Sequence, residues 1–197
     1  MKKILHISSS PKIENSSSRI LGREIVRKIT EKYPHSIIKK YDVTKMRLPH
    51  LNEIQINSFF TDPNERSTMQ KNAIEHSDEA IAALQEADII VIEAPMYNFT
   101  ITSTLKAYFD IIARSGITFR YTGNGLLPEG LLNKKTAYIA TASGGIYSQR
   151  ELQPYDFAVS YTRFFLELIG IKVAAVYRSE GQAVIGEKKH YKKESIV

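Results

Sequence analysis

Three groups of residues have types and spacings that suit chemistry. Between Ser8 and Arg19 the chain reads SSSPKIENSSSR, and an amphipathic pattern begins at the second serine cluster. A bound phosphate needs many donors, which hydroxyls and the unpaired N–H groups of a helix start supply together. Ser10, Ser16, Ser17 and Ser18 are therefore the candidate phosphate ligands, although Asn15 or Ser16 in this place also reads as an ordinary helix cap. The second group is Pro95-Met96-Tyr97-Asn98-Phe99, where a proline breaks an apolar run and sulfur, amide and aromatic side chains follow. Such a loop can present backbone N–H groups and flat walls to a planar ring, or simply pack aromatics at a strand end. The third is Ala142-Ser143-Gly144-Gly145, with Tyr147 just beyond. Adjacent glycines there let a ring edge approach the backbone, and they also suit an ordinary turn.

Other chemistries find little support. The Gly-Lys-Ser/Thr triphosphate loop and the glycine pattern of dinucleotide binding after a first strand are both missing. Gly123 to Pro128, GNGLLP, follows a helical segment, with proline where the last glycine belongs. His6, Ile7 and Ser8 stand where a phosphorelay receiver would carry acids. The histidines at 6, 35, 50, 76 and 190 share no ligand spacing, so no metal is expected. The hydrolase elbow, a serine with flanking glycines at a strand-to-helix turn, is lacking around Ser143, where Thr141 stands in the first glycine's place. With no cysteine, neither thiolate metal sites nor a cysteine nucleophile exist.

The elements that position these residues follow from periodicity. Apolar runs of strand length occur at Lys3 to Ile7, Ile37 to Val43, Asp88 to Ala94, Lys135 to Thr141 and Lys172 to Arg178. Helical patterns separate them. Ile20, Leu21, Ile25, Val26 and Ile29 share one face. A second helix is expected from Asp62 as N-cap, with Pro63 and Glu65 completing its first turn. Leu105, Tyr108, Phe109 and Ile112 form a third apolar face, ending at Gly116, and a fourth helix runs from Pro154 to Gly170. Alternating strands and crossover helices predict an α/β doubly wound parallel sheet of five strands, order 2-1-3-4-5, with helices on both faces. One domain, 1–197, is expected. In that order the ends of strands one, three and four converge on one cleft, because ligands bind at the carboxyl ends where chain order reverses. One loop suits a monophosphate and two suit a flat heterocycle, a combination that fits flavin mononucleotide (FMN) better than a triphosphate or dinucleotide. Two connections, Thr44 to Phe60 and Ile117 to Asn133, are longer than the fold needs and read as lids or partner surfaces.

Of 197 residues, 43% are hydrophobic and 24% charged, which suits one substantial core. The opening MKKILHISSSPK reads as a strand because its apolar run ends within a few residues, and no segment has the length of a membrane span. A cytoplasmic setting is expected. The formal charge of +6 invites anions, but much of the surplus lies in a basic tail at about 186–197, read as a solvated terminus. The aromatic-interleaved basic pattern of a nucleic-acid reader is missing, so no nucleic acid and no membrane are expected as partners.

The stretch APMYNFTITSTLKAYFDIIARSGITFRYTGNG, from Ala94 to Gly125, closely resembles the signature of the FMN-dependent NADH azoreductases, flavodoxin-like NAD(P)H:quinone reductases. The SSSP…SSSR start and GGIY after the fourth strand resemble the same family, up to about Tyr177. The resemblance implies FMN phosphate contacts at Ser10, Ser16 and Ser18 with Ser17 between them. It implies flavin-ring contacts from Pro95 through Phe99 and from Ala142 through Gly145, reaching Tyr147. Two-electron, ping-pong transfer from NADH or NADPH to quinones or azo compounds is implied too, with Asn98 and Tyr147 as substrate-orienting candidates. The family's homodimer, whose active site borrows partner residues, suits Phe119, Tyr121 and Phe164 as substrate-pocket residues, although core packing explains such aromatics equally well. Two departures stand out: Thr100-Ile101-Thr102 where Gly and Pro are usual, and Ser143 where Arg is frequent. The rival readings are a flavodoxin-type electron carrier and a cofactor-free binding module.

Overall fold

The structure, a computed structural model, describes residues 1–149 and 151–184 and the backbone of 191–195. In chain order the elements are β1 (Lys3–Ser8), α1 (Ser17–Lys32), β2 (Ile37–Asp42), α2 (Glu53–Phe60), α3 (Thr68–Ala73), α4 (Glu75–Glu86) and β3 (Ile89–Glu93). They continue with α5 (Ser103–Ile112), β4 (Phe119–Arg120), β5 (Glu129–Gly130), β6 (Thr136–Ala142), α6 (Phe157–Leu168), β7 (Lys172–Ser179) and β8 (Tyr191–Ser195).

The main sheet runs β2-β1-β3-β6-β7-β8. Its first five strands are parallel and reproduce the expected 2-1-3-4-5 order. The flavodoxin-like fold thus holds, with one addition. Within the tail read as solvated, 191–195 pair antiparallel with β7 as a sixth strand, whereas 186–190, 196 and 197 lie outside the described residues. Charged residues are poor strand formers by propensity, but an edge strand needs only its backbone to pair.

Each face of the sheet carries its own core. On one, Leu21, Ile25, Val26 and Ile29 of α1 cover Ile4, Ile89, Val91 and Ala140. On the other, α4, α5 and α6 bring Leu84, Leu105, Phe109, Phe165 and Leu166 against Leu5, Ile7, Ile90, Ile92 and Ile139. Each such leucine, isoleucine, valine or phenylalanine side chain contributes about 1.5–3 kcal/mol by leaving water, which fixes the helices on the sheet.

Several local expectations are corrected. The connection Thr44 to Phe60 contains α2, capped by a reciprocal Asn52–Gln55 box. Asp62 does not start a helix: its carboxylate accepts the Asn64 N–H at 2.8 Å in a turn, and the working capping box is Ser67 with Gln70 at the head of α3. Pro154 lies in a short 3₁₀ turn, and α6 begins three residues later behind its N-cap Asp156. The second long connection folds into the hairpin β4–β5, pairing Phe119 with Gly130 and Arg120 with Glu129.

Candidate active site

The serine wall is built by the turn from β1 into α1. Ser16 caps the helix, its Oγ accepting from Arg19 N at 3.5 Å, and lies 2.9 Å from Ser10 Oγ and 3.3 Å from Ser18 Oγ. Ser10, Ser16 and Ser18 are buried and Ser17 is half-buried. The Ser16 hydroxyl contacts both of the others; each can turn a proton toward an incoming anion, Ser10 by giving up its bond to the Lys12 carbonyl at 3.2 Å, and no acid in the first turn of α1 opposes it. Arg19, buried beside them, is already engaged: it donates to the Ser10 carbonyl at 3.2 and 2.7 Å and to Asp42 at 3.0 and 3.1 Å. Its task is to fix the loop. Burial alone would raise the Asp42 carboxyl, but the bonds from Arg19 and Thr44 prevail and hold it below the usual carboxylate range.

The walls expected to face a ring come from the ends of β3 and β6. Met96 N donates to Ala142 O at 2.9 Å, so the ladder continues past β3 and aligns Pro95-Met96 with Ala142. Tyr97 and Thr100 exchange backbone bonds of 2.8 and 3.0 Å around Asn98 (φ 49°) and Phe99 (φ 68°). Positive φ at both central residues marks a type I′ turn, which Asn tolerates and Phe adopts only under strain. Met96 and Tyr97 spend their N–H groups on this framework, so the donors the turn itself offers are those of Asn98 and Phe99. The Phe99 ring is half exposed and meets Tyr147 edge to face at 6.1 Å. Thr102, the N-cap of α5, also donates to Ser9 O at 3.2 Å and so ties this wall to the serine loop.

The facing glycine loop is laced to the chain beyond β7. Ser143 N donates to Ser179 O, Gly181 N to Gly145 O and Ala183 N to Gly144 O, each at 3.0 Å. Behind it lies a buried cluster: Arg178 meets Asp156 at 2.7 Å and Glu180 at 3.4 Å, and Glu180 accepts the Tyr147 N–H at 3.0 Å. On the α1 side of the sheet, buried Glu93 accepts from Ser8 at 3.0 Å and lies 2.8 Å from His6 Nε2. Gly22 of α1 leaves the room for that pair.

One cleft of about 120 Å³ brings together Ser10, Ser16, Ser17, Ser18, Pro95, Met96, Tyr97, Ala142, Ser143 and Gly144, and adds Lys12, Asn15 and Gln182. Asn98 instead opens, with Tyr97, onto a larger hollow of about 630 Å³ beside Lys106 and Tyr161. Phe99, Gly145 and Tyr147 stand around the cleft without lining it. Phe119 and Tyr121 pack edge to face at the β4 hairpin, Tyr121 exposed, and Phe164 is exposed on α6; none of the three lines either space. The donor set fits FMN: hydroxyls and a helix start at one end suit a phosphate, and flat side chains with facing glycine backbone at the other suit a ring. Sequence reasoning passed over Arg178, Glu180 and Gln182. The rule that strand ends matter would have pointed to the end of β7, but nothing local couples Glu180 to a residue 33 positions earlier.

Comparison with known proteins agrees. A family model described as having a flavodoxin-like fold matches residues 2–195. The chain is 42% identical to the FMN-dependent NADH:quinone oxidoreductase of Herminiimonas arsenicoxydans, over 95% of this chain and 91% of that one. It is 42% identical to the protein of the same name from Marinomonas sp. (strain MWYL1), over 93% and 90%. Among solved structures, azoreductase from Bacillus anthracis str. Sterne superposes with a TM-score of 0.84 at 26% identity, covering 96% of this chain and 91% of the other. The chain is an oxidoreductase that belongs to the flavodoxin-like family of FMN-dependent NADH:quinone oxidoreductases.

Proposed function

We propose that the chain binds FMN in this cleft and transfers two electrons from NADH, or NADPH, to quinones and azo compounds, azo bonds being cleaved to aromatic amines. The observation that carries this reading is the convergence of the Ser10/Ser16/Ser18 hydroxyls with the Pro95–Tyr97 and Ala142–Gly144 backbones on one cleft. Bound FMN supplies hydride acceptance and two-electron delivery. The protein supplies position and charge. Ser10, Ser16, Ser17, Ser18 and the first N–H groups of α1 hold the phosphate. Pro95, Met96 and Tyr97 wall the ring, with Ala142, Ser143, Gly144 and Gly145 across from them. The Gly144 and Gly145 amides stabilise negative charge on the reduced ring. Asn98 and Tyr147 orient the substrate at the mouth.

Donor and acceptor use the same mouth in turn, so kinetics are ping-pong. Exposed Tyr121 and Phe164 and half-buried Phe119 serve a second copy of the chain: in a homodimer they complete the partner's substrate pocket. The residues that distinguish an enzyme from an electron carrier are this aromatic hairpin and the hollow beside Asn98, which give a small acceptor somewhere to bind.

The test is anaerobic. FMN-reconstituted protein should lose its flavin absorbance on addition of NADH and regain it on addition of a benzoquinone. Flavin that binds but is bleached by neither nicotinamide nucleotide would replace this reading with an electron carrier, and failure to bind FMN would end it. Light scattering on the eluted protein should give twice the chain mass; a monomer with full activity would remove the shared pocket.

A further inference from the structure

The cluster behind the glycine loop sets one guanidinium against two carboxylates among the described residues. Arg178, Asp156 and Glu180 are all at least nine-tenths buried. Asp156 has a clear duty in the fold: one oxygen accepts the Val159 N–H at 3.2 Å and caps α6, and the other meets Arg178 at 2.7 Å. Glu180 is held less closely, 3.4 Å from Arg178 against 2.7 Å for Asp156, and taking a carboxylate out of water is costly. Such a group persists where it serves function.

What Glu180 holds is the Tyr147 backbone, whose N–H it accepts at 3.0 Å. The bond lies just past the Gly145 carbonyl tied to Gly181, and it sets the main chain from which the Tyr147 ring reaches Phe99. We propose that Glu180 is a positioning residue for electron transfer: through the Tyr147 N–H it fixes the glycine-loop wall at the mouth of the flavin cleft. Glu180 touches neither flavin nor substrate in this role. The inference rests on the FMN reading above.

Two variants separate position from charge and from folding. Glu180→Gln keeps an oxygen acceptor for the Tyr147 N–H and removes the charge, whereas Glu180→Ala removes both. Arg178 keeps Asp156 in either variant. Both should therefore unfold within a few degrees of the wild-type temperature. Glu180→Ala should raise the FMN dissociation constant, read by fluorescence titration of the apoprotein, about tenfold. It should also slow flavin reduction by saturating NADH by a similar factor, and Glu180→Gln should stay within about twofold of wild type in both. Wild-type affinity and reduction rate in Glu180→Ala overturn the proposal, as does a lowered unfolding temperature with both intact, which would make Glu180 structural. A Gln variant as impaired as the Ala variant, with a shifted flavin potential, also overturns it, because charge and not position would then matter. If the wild type itself fails to bind FMN, the parent reading falls and this one with it; if the wild type binds and Glu180→Ala binds equally well, only this one falls.

Discussion

The two sides of the cleft are built on opposite principles. On the serine side the local rules are kept or only mildly bent: Ser16 caps in extended geometry, the φ of 52° at Asn15 falls on a residue type that tolerates it, and Arg19 is matched by Asp42 and the Ser10 carbonyl. On the ring side the rules are broken. Phe99 is held at φ 68°, and Glu180 is a buried carboxylate that shares Arg178 with Asp156. A side whose binding groups also stabilise the fold should lose stability and affinity together when it is cut. A side that stores strain should gain stability as it loses function. The sign of the stability change, not its size, therefore tells the two apart.

The largest effect is expected behind the serine side, at Gly22. A Cβ there would come within 2.6 Å of Glu93 Oε1 and 2.9 Å of His6 Nε2, both buried and engaged with each other. Gly22→Val should lower the unfolding free energy by about 2–3 kcal/mol by overpacking, measured by urea titration, and should displace α1 enough to weaken FMN binding. Replacing a helical glycine in open space would instead gain up to ~1 kcal/mol, so a stabilised variant would show that the Glu93–His6 pair yields freely.

At Ser16 the effects are smaller and parallel. Ser16→Ala removes a cap and should cost about 1 kcal/mol of stability. FMN affinity should fall about tenfold or more with the lost phosphate donor, while riboflavin, which has no phosphate, should bind as to wild type. Equal losses for both ligands would place the phosphate elsewhere. Phe99→Gly is the counterpart on the ring side. Glycine accepts the φ that phenylalanine resists, so stability should rise by about 1 kcal/mol even as loss of the ring against Tyr147 weakens the flavin wall. A fall in stability would mean that the turn is not strained and would dissolve the contrast.

The contrast also explains what the sequence disclosed. Residues that obey local rules are readable one element at a time. The runs KILHI and DIIVIEA, the spaced apolar face of α1 and the serines ahead of it led to the parallel sheet, its order and the serine-lined end of the cleft. The turn at Asn98-Phe99 was hidden because it lacks the glycine that announces a type I′ hairpin. The helix α2 was hidden because Ile54, Ile56 and Phe60 remain exposed and leave no clean apolar face. Asp62-x-x-Glu65 and Ser67-x-x-Gln70 both have the spacing of a capping box, and only the packed chain selects the second. Glu180 depends on a contact far along the chain, which no local pattern encodes.

The smallest expected effect tests whether the serine side is held by charge as well as by geometry. Asp42 is mostly buried and its folded pKa is depressed by Arg19 and Thr44 despite the opposing effect of burial. A depressed carboxyl contributes stability that is fully present above its unfolded value, near pH 4, and that disappears as pH falls through the lower folded value. The wild type should therefore lose stability as pH falls below about 4 more steeply than Asp42→Asn, whose side chain has no charge to lose. Above pH 5 the variant should be the less stable of the two, by an amount that does not change with pH up to neutrality. Parallel curves from pH 2 to pH 7 would mean that Arg19 holds the Ser10 carbonyl without help from the Asp42 charge, leaving the loop fixed by its hydrogen bonds alone.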